Sequence, residues 1–137
     1  MRKYMLRFAA FLLITVILCG CAKGKVDNVY KVIGDSDVYS AYEIEKAMNI
    51  VISQFRKGFT GCTLTEIAYN EESSEKASAQ WADQYGADEA IVLVSSFEVD
   101  ASGGEGNLQP NSTYDGFAWV LTRSNGGRWT LRTWGYG

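Results

Sequence analysis

An α+β fold is predicted for this chain: a long N-terminal helix packed on a curved, mainly antiparallel four-stranded sheet, with a second short helix between the first two strands. Three observations predict it. Apolar residues recur at three and four positions from Ile44 to Phe59, the spacing of one buried helix face. Runs rich in β-branched and aromatic residues occupy 62–69 and 90–99. Finally, Tyr114 to Arg123 and Arg128 to Tyr136 read as two aromatic strands about a Gly-rich turn.

The chain opens on an address. Arg2, Lys3 and Arg7 form a basic start, and the eleven residues Phe8 to Leu18 form an apolar run of signal-peptide length, too short to span a bilayer. Leu18-Cys19-Gly20-Cys21 closes that run with the spacing of a lipobox. Residues 1–20 are therefore expected to be a lipoprotein signal peptide, 21–37 a lipidated tether and 38–137 a single α+β domain. The resemblance to bacterial lipoproteins implies a diacylglyceryl thioether on Cys21. Two acyl chains at about 0.8 kcal/mol per buried methylene would hold the protein permanently at the extracytoplasmic face of the cell membrane.

Charge narrows the partners. Removing residues 1–20 takes away three of the 13 Lys and Arg and none of the 16 Asp and Glu, so 10 basic residues face 16 acidic ones, a net of −6. Nucleic acid is excluded, because its affinity comes mainly from phosphate neutralisation by Lys and Arg. Cys19 leaves with the signal and Cys21 is consumed by lipid, so Cys62 is the remaining thiol and no intramolecular disulfide can form. A reactive thiol needs a neighbouring base or cation to lower its pKa. With no histidine in the chain, Cys62 is read as a buried structural residue.

Residues 22–37 are polar and unpatterned, which suits a tether. Val29, Tyr30, Val32 and Ile33 offer a short edge strand as the alternative. Asp35 and Asp37 present hard oxygens, but no full calcium loop follows them, and no metal or cofactor is expected. Ser40-x-x-Glu43 forms a capping box ahead of a helix near Ala41 to Lys57, and Arg56 and Lys57 suit the negative end of its dipole. Ile44, Ala47, Met48, Val51, Ile52, Phe55 and Phe59 form its core stripe.

Cys62 to Tyr69 is the first expected strand. Asn70 to Ser74 should break it, after which a serine cap and Glu75 open a helix through Tyr85 with Ala77, Trp81 and Tyr85 on one line. Ala90 to Val94 is apolar on both faces, as a central strand should be, and Phe97 and Val99 share a side beyond it. Asp100 to Thr113, with three glycines and the only proline, is long enough to be a lid or binding loop. In the last hairpin, a three-residue loop over Asn125 to Gly127 places Phe117, Trp119, Leu121, Trp129 and Leu131 on one face. Ala118, Val120, Thr130, Arg132, Trp134 and Tyr136 then share the other.

The order of elements, and the closing GGRWTLRTWGYG, resemble the cystatin-like and nuclear-transport-factor-like cone folds. Segments such as FTGCTLTEIAYNEE and WADQYGADEAIVLVSSF are similar to small lipoproteins of Gram-positive bacteria, a group that carries no assigned chemistry. The cone resemblance implies a concave cavity. Phe97, Tyr114 and Trp119 are the candidate ligand-binding residues at its opening, and Arg132, Trp134 and Tyr136 are the candidate partner-binding residues on the outer face. Enzymes of this fold class commonly use a His/Asp dyad, so catalysis is not expected and no catalytic residue is assigned. The function expected is a lipid-anchored binding module for an envelope protein or small ligand. An accessory subunit of an envelope complex and a histidine-free cone-fold enzyme are the alternatives.

Overall fold

The computed structural model describes residues 23–136. The expected signal peptide and lipidation site Cys21 lie outside the described residues. The long helix is present as α1, Ala41–Gly58. Its capping box closes as the sequence predicts: the Glu43 N–H donates to the Ser40 hydroxyl at 3.2 Å, and the Ser40 N–H donates to the Glu43 carboxylate at 2.8 Å. Ile44, Ala47, Met48, Val51 and Phe55 are all fully buried, so the 3.6-residue stripe is the roof of the core. Phe59 ends the helix with its N–H on the Phe55 carbonyl at 3.0 Å, and it too is buried.

The sheet is five-stranded and mixed, and α1 is not the first element. This corrects the expectation of a four-stranded sheet entered by a helix. In chain order its strands are β1 (Tyr30–Ile33), β2 (Cys62–Tyr69), β3 (Glu89–Val99), β4 (Thr113–Arg123) and β5 (Thr130–Gly135), and they lie side by side in that same order. β1 runs parallel to β2, from Tyr30 opposite Glu66 to Ile33 opposite Tyr69; all other pairs are antiparallel. Two adjacent parallel strands need a crossover, and α1 is that crossover.

The segment expected to be a tether is therefore partly in the sheet, as its edge-strand alternative proposed. Lys25 also bridges to Thr63, with the Lys25 N–H on the Cys62 carbonyl and the Leu64 N–H on the Lys25 carbonyl, both at 2.9 Å. Just before it, Gly24 passes so close to α1 that a Cβ there would lie 2.4 Å from the Phe55 carbonyl oxygen. Only glycine fits.

The second helix starts earlier than the sequence suggests. Asn70 is its cap, its side chain accepting the Ser73 N–H at 2.9 Å, and α2 spans Glu71–Gln84. Ser74, expected before the helix, lies inside it and is 1% exposed. The reason is a sheet edge that needs closing. β2 pairs with β3 only as far as Ala68 opposite Val94, and beyond that point the Ser74 hydroxyl accepts the Val92 N–H at 3.0 Å.

Three one-residue irregularities shape the sheet. Thr65 is extra in β2 between Leu64 and Glu66, an extra residue in β4 falls opposite Ser96 where Gly116 has φ 73°, and Arg132 is extra in β5. The first two flank β3 at the same level, and each such bulge bends and twists its strand. The third corrects the predicted facing of the hairpin. Leu121 stands opposite Leu131 and Thr122 opposite Thr130, the register of the expected loop. Past Arg132 the alternation flips, setting Thr133 opposite Val120 and Trp134 opposite Trp119.

Candidate functional site

The three residues predicted to line a cavity are brought together, but as core. Phe97 and Trp119 are 0% exposed. Phe97 stacks on Tyr114 with ring centres 5.2 Å apart and meets Phe55 and Phe59 edge-on at 5.5 and 5.7 Å. Trp119 donates its indole N–H to the Ser95 hydroxyl at 2.8 Å, and that hydroxyl donates to the Phe117 carbonyl at 3.2 Å. Each buried polar atom is thereby satisfied, and neither Phe97 nor Trp119 keeps a face for a ligand.

The glycine-rich segment predicted as a lid is folded down on the same end of the molecule. Asp100 organises it: its carbonyl accepts the N–H groups of Gly103 and Asn111, and its carboxylate accepts the Ser102 backbone N–H and hydroxyl O–H. The Ser102 hydroxyl, followed by its N–H, holds the Asp100 carboxyl below its usual range. Leu108 packs against the core, and the Tyr114 hydroxyl accepts the Gln109 N–H at 3.0 Å. Cys62 lies beneath, 1% exposed; burial pushes its thiol up, and Asp100 and Glu105 add to that. A thiol held protonated in this way is a poor nucleophile.

The predicted partner residues separate. Arg132 stays on the back of the sheet, its Nε donating to Thr122 Oγ1 at 2.9 Å and its guanidinium 5.4 Å from the Tyr85 ring. Trp134 and Tyr136, turned by the bulge, join the other face: Trp134 lies 5.5 Å from Trp119, and Tyr136 lies 5.5 Å from Phe117. They remain 43% and 58% exposed, an aromatic fringe where α1 ends.

The open space is elsewhere, where α1 and the β4–β5 hairpin part. A groove of about 1040 Å³ runs between Tyr42, Lys46, Asn49 and Ile50 on the helix and Arg123 and Gly126 to Leu131 on the hairpin. A second hollow of about 340 Å³, lined by Asn49, Ile50, Ser53, Gln54, Lys57 and Leu131, adjoins it through three shared residues. At the inner wall Arg123 is held between the carboxylates of Glu43, at 3.0 Å, and Glu89, and its guanidinium lies 4.3 Å from the Trp129 ring. Burial alone would lower the Arg123 pKa, but Glu89 and Glu43 outweigh it and raise it. Glu43 is lowered, first by the Ser40 N–H and then by Arg123. This ion cluster is a structural wall in which the one cation is already engaged by two carboxylates.

The other cations lining the two hollows are not matched in this way. Lys46 sits over the Tyr42 ring at 4.9 Å, and among the described residues no carboxylate lies within ion-pair distance of Lys46, Lys57 or Arg128. Of the 13 Lys and Arg, Arg2, Lys3 and Arg7 precede the described residues; four of the other ten line the two hollows, against one of the 16 acids, Glu43. Sequence reasoning missed this site because its walls are some eighty residues apart in the chain. Its visible signal was Lys46 and Lys57, eleven residues apart and so on one line of the helix, in a chain that is otherwise acidic.

Among the described residues no group of three or more His, Cys, Asp or Glu could hold a metal, and no helix is long and apolar enough to cross a membrane. No family model, no curated protein and no solved structure matches the chain.

Proposed function

We propose that this protein is a lipid-anchored extracytoplasmic lipoprotein whose folded domain binds a protein or small ligand through the groove between α1 and the β4–β5 hairpin. The observation that carries the reading is the charge inversion at the groove: cations without carboxylate partners line it on a body that is net acidic. Such complementarity steers encounter and selects partners. The anchor reading rests on Leu18-Cys19-Gly20-Cys21, and the helix laid across a bulged sheet supports the cone-fold likeness. A binding role is favoured over a catalytic one because the chain lacks histidine and the Cys62 thiol is held protonated.

Two substitutions test the two halves of this reading. Cys21→Ala should release the protein from membranes on cell fractionation; full retention would refute the anchor. Crosslinking in intact cells should capture a stoichiometric partner with the native chain and lose it with Lys46→Glu/Arg128→Glu, provided the double variant keeps its melting temperature. Capture unchanged by that variant would move the site off the groove. The exposed Trp134 and Tyr136 favour a second reading, an accessory subunit docked by its aromatic fringe. Capture lost in Trp134→Ala and kept in the groove variant would establish that one instead.

A further inference from the structure

We propose that the occupant of the groove is an extended, acidic polypeptide segment that pairs its backbone with the outer edge of β5, ahead of the Arg132 bulge. This rests on the binding-module reading above and names the partner's chemistry.

Three features of the site point to it. First, β5 is the last strand of the sheet, so among the described residues one side of its backbone has no strand neighbour. Among the described residues no turn, loop or side-chain hydrogen bond reaches the backbone of 128–136 from beyond the hairpin ladder. An edge of that kind accepts an added strand, whose main-chain hydrogen bonds supply affinity. Second, Thr130 and Leu131 of that strand line the groove opposite α1, so a chain paired there lies beside the groove. Third, the cations are strung out and do not converge. Lys46 and Lys57 are three turns apart, about 16 Å at ~1.5 Å per residue. An extended chain covers that in four to six residues at ~3.3 Å each. A single phosphate or carboxylate would want its donors gathered at one point, as in a fork-like clamp. Spaced carboxylates on a strand match Lys46, Lys57 and Arg128; a compact anion does not.

The edge also limits the register. Arg132 interrupts alternation in β5, so regular pairing ahead of it is confined to Thr130 and Leu131, with Arg128 and Trp129, just ahead of the strand, lining the groove beside them. The bulge protects the rest of the strand from indiscriminate addition.

The test uses the full lipidated chain in detergent micelles and a fluorescent, capped octapeptide of alternating Glu and Val, followed by anisotropy. The peptide should bind, and Lys46→Glu/Arg128→Glu should weaken it by about tenfold or more. Methylating alternate backbone nitrogens of the peptide should weaken it as much, because it removes main-chain donors while keeping every charge. Inorganic phosphate and phosphatidylglycerol vesicles should fail to compete at matched negative charge. No binding of the octapeptide, equal binding after N-methylation, or full competition by phosphate or vesicles would each overturn the proposal. Should the charge-reversed variant lose its melting transition, Lys46→Gln/Arg128→Gln replaces it, with the same direction required. A Ser-Val peptide separates this inference from the broader reading. If it binds as well as the acidic peptide and still responds to Leu131→Arg, the groove is a site and the acidic preference is wrong. If neither peptide responds to any groove substitution, the groove itself is wrong.

Discussion

The two edges of the sheet lie under the same helix but are finished in opposite ways. At β1 the chain closes its own flank: four residues pair parallel to β2, and Lys31 reaches up to α1, its Nζ 3.1 Å from Glu45 and 2.9 Å from Asn49. At β5 the strand is longer and antiparallel, and the space between it and α1 is left open with cations along it. A short edge stitched by charge to its own helix has nothing left to offer a partner. The opposite edge, beside uncommitted cations, does. The contrast favours the proposed site on a flank of α1, away from the aromatic interior to which the cone resemblance points.

The largest expected effect removes what both edges share. Val51 is fully buried on the inner face of α1, and Val51→Asp would bury an unpaired charge at a cost comparable to the whole stability of a domain this size. Thermal unfolding should lose its cooperative transition; an unchanged melting temperature would mean α1 is not the roof. Next, Trp119→Ala should destabilise by about 3–5 kcal/mol as a core cavity. In chemical denaturation the midpoint should fall, while peptide affinity of the remaining folded protein stays as in wild type. Affinity lost without stability would restore the interior as the site.

A pH titration probes the buried ring contacts of Tyr39 with Tyr69 and Trp129. Tyr39 is 7% exposed, with Tyr69 of β2 6.2 Å to one side and Trp129 of the hairpin 5.5 Å to the other. Burial first, and Glu89 second, push its pKa from 10.0 to about 12. Because the folded value lies above the unfolded one, the neutral phenol favours the fold. That contribution is complete below pH 10 and is lost as pH rises through about 12. Stability followed by urea unfolding should decline across that window, and Tyr39→Phe should flatten the decline. The smallest effect distinguishes the edges directly. Lys31→Ala should cost no more than about 1 kcal/mol, as a surface pair does, and leave binding alone. Arg128→Ala should leave stability within about 0.5 kcal/mol and weaken peptide binding. The reverse pattern would exchange the roles of the two edges.

Much of the scaffold was legible because its signals are local. The stripe from Ile44 to Phe59 and the Ser40/Glu43 box each specify α1 within a few residues, and the Leu121–Leu131 register followed from loop length and charge. What was not legible depends on partners far away in the chain. Ser73 and Ser74 resemble caps as much as Asn70 does, and only the Val92 N–H, orphaned when β2 ends, explains why Ser74 belongs inside α2. β1 looked like tether because Tyr30, Val32 and Ile33 are mostly half-exposed and carry no alternation; its strand character comes from β2 alongside. The Arg132 bulge adds one residue that no period-2 pattern announces, and it alone moves Trp134 and Tyr136 to the opposite face. The groove was hidden for the same reason, since Lys46 and Lys57 read from sequence as the solvated side of an amphipathic helix.

The most direct test of the flank assignment is a map of backbone amide shifts in the ¹⁵N-labelled full chain, in micelles, as the Glu-Val octapeptide is added. The shifts should concentrate at Gly126 to Leu131 and along α1 from Lys46 to Lys57, leaving Tyr30 to Ile33 still. Shifts confined to β1, to Phe97 and Tyr114, or to Trp134 and Tyr136 would contradict it.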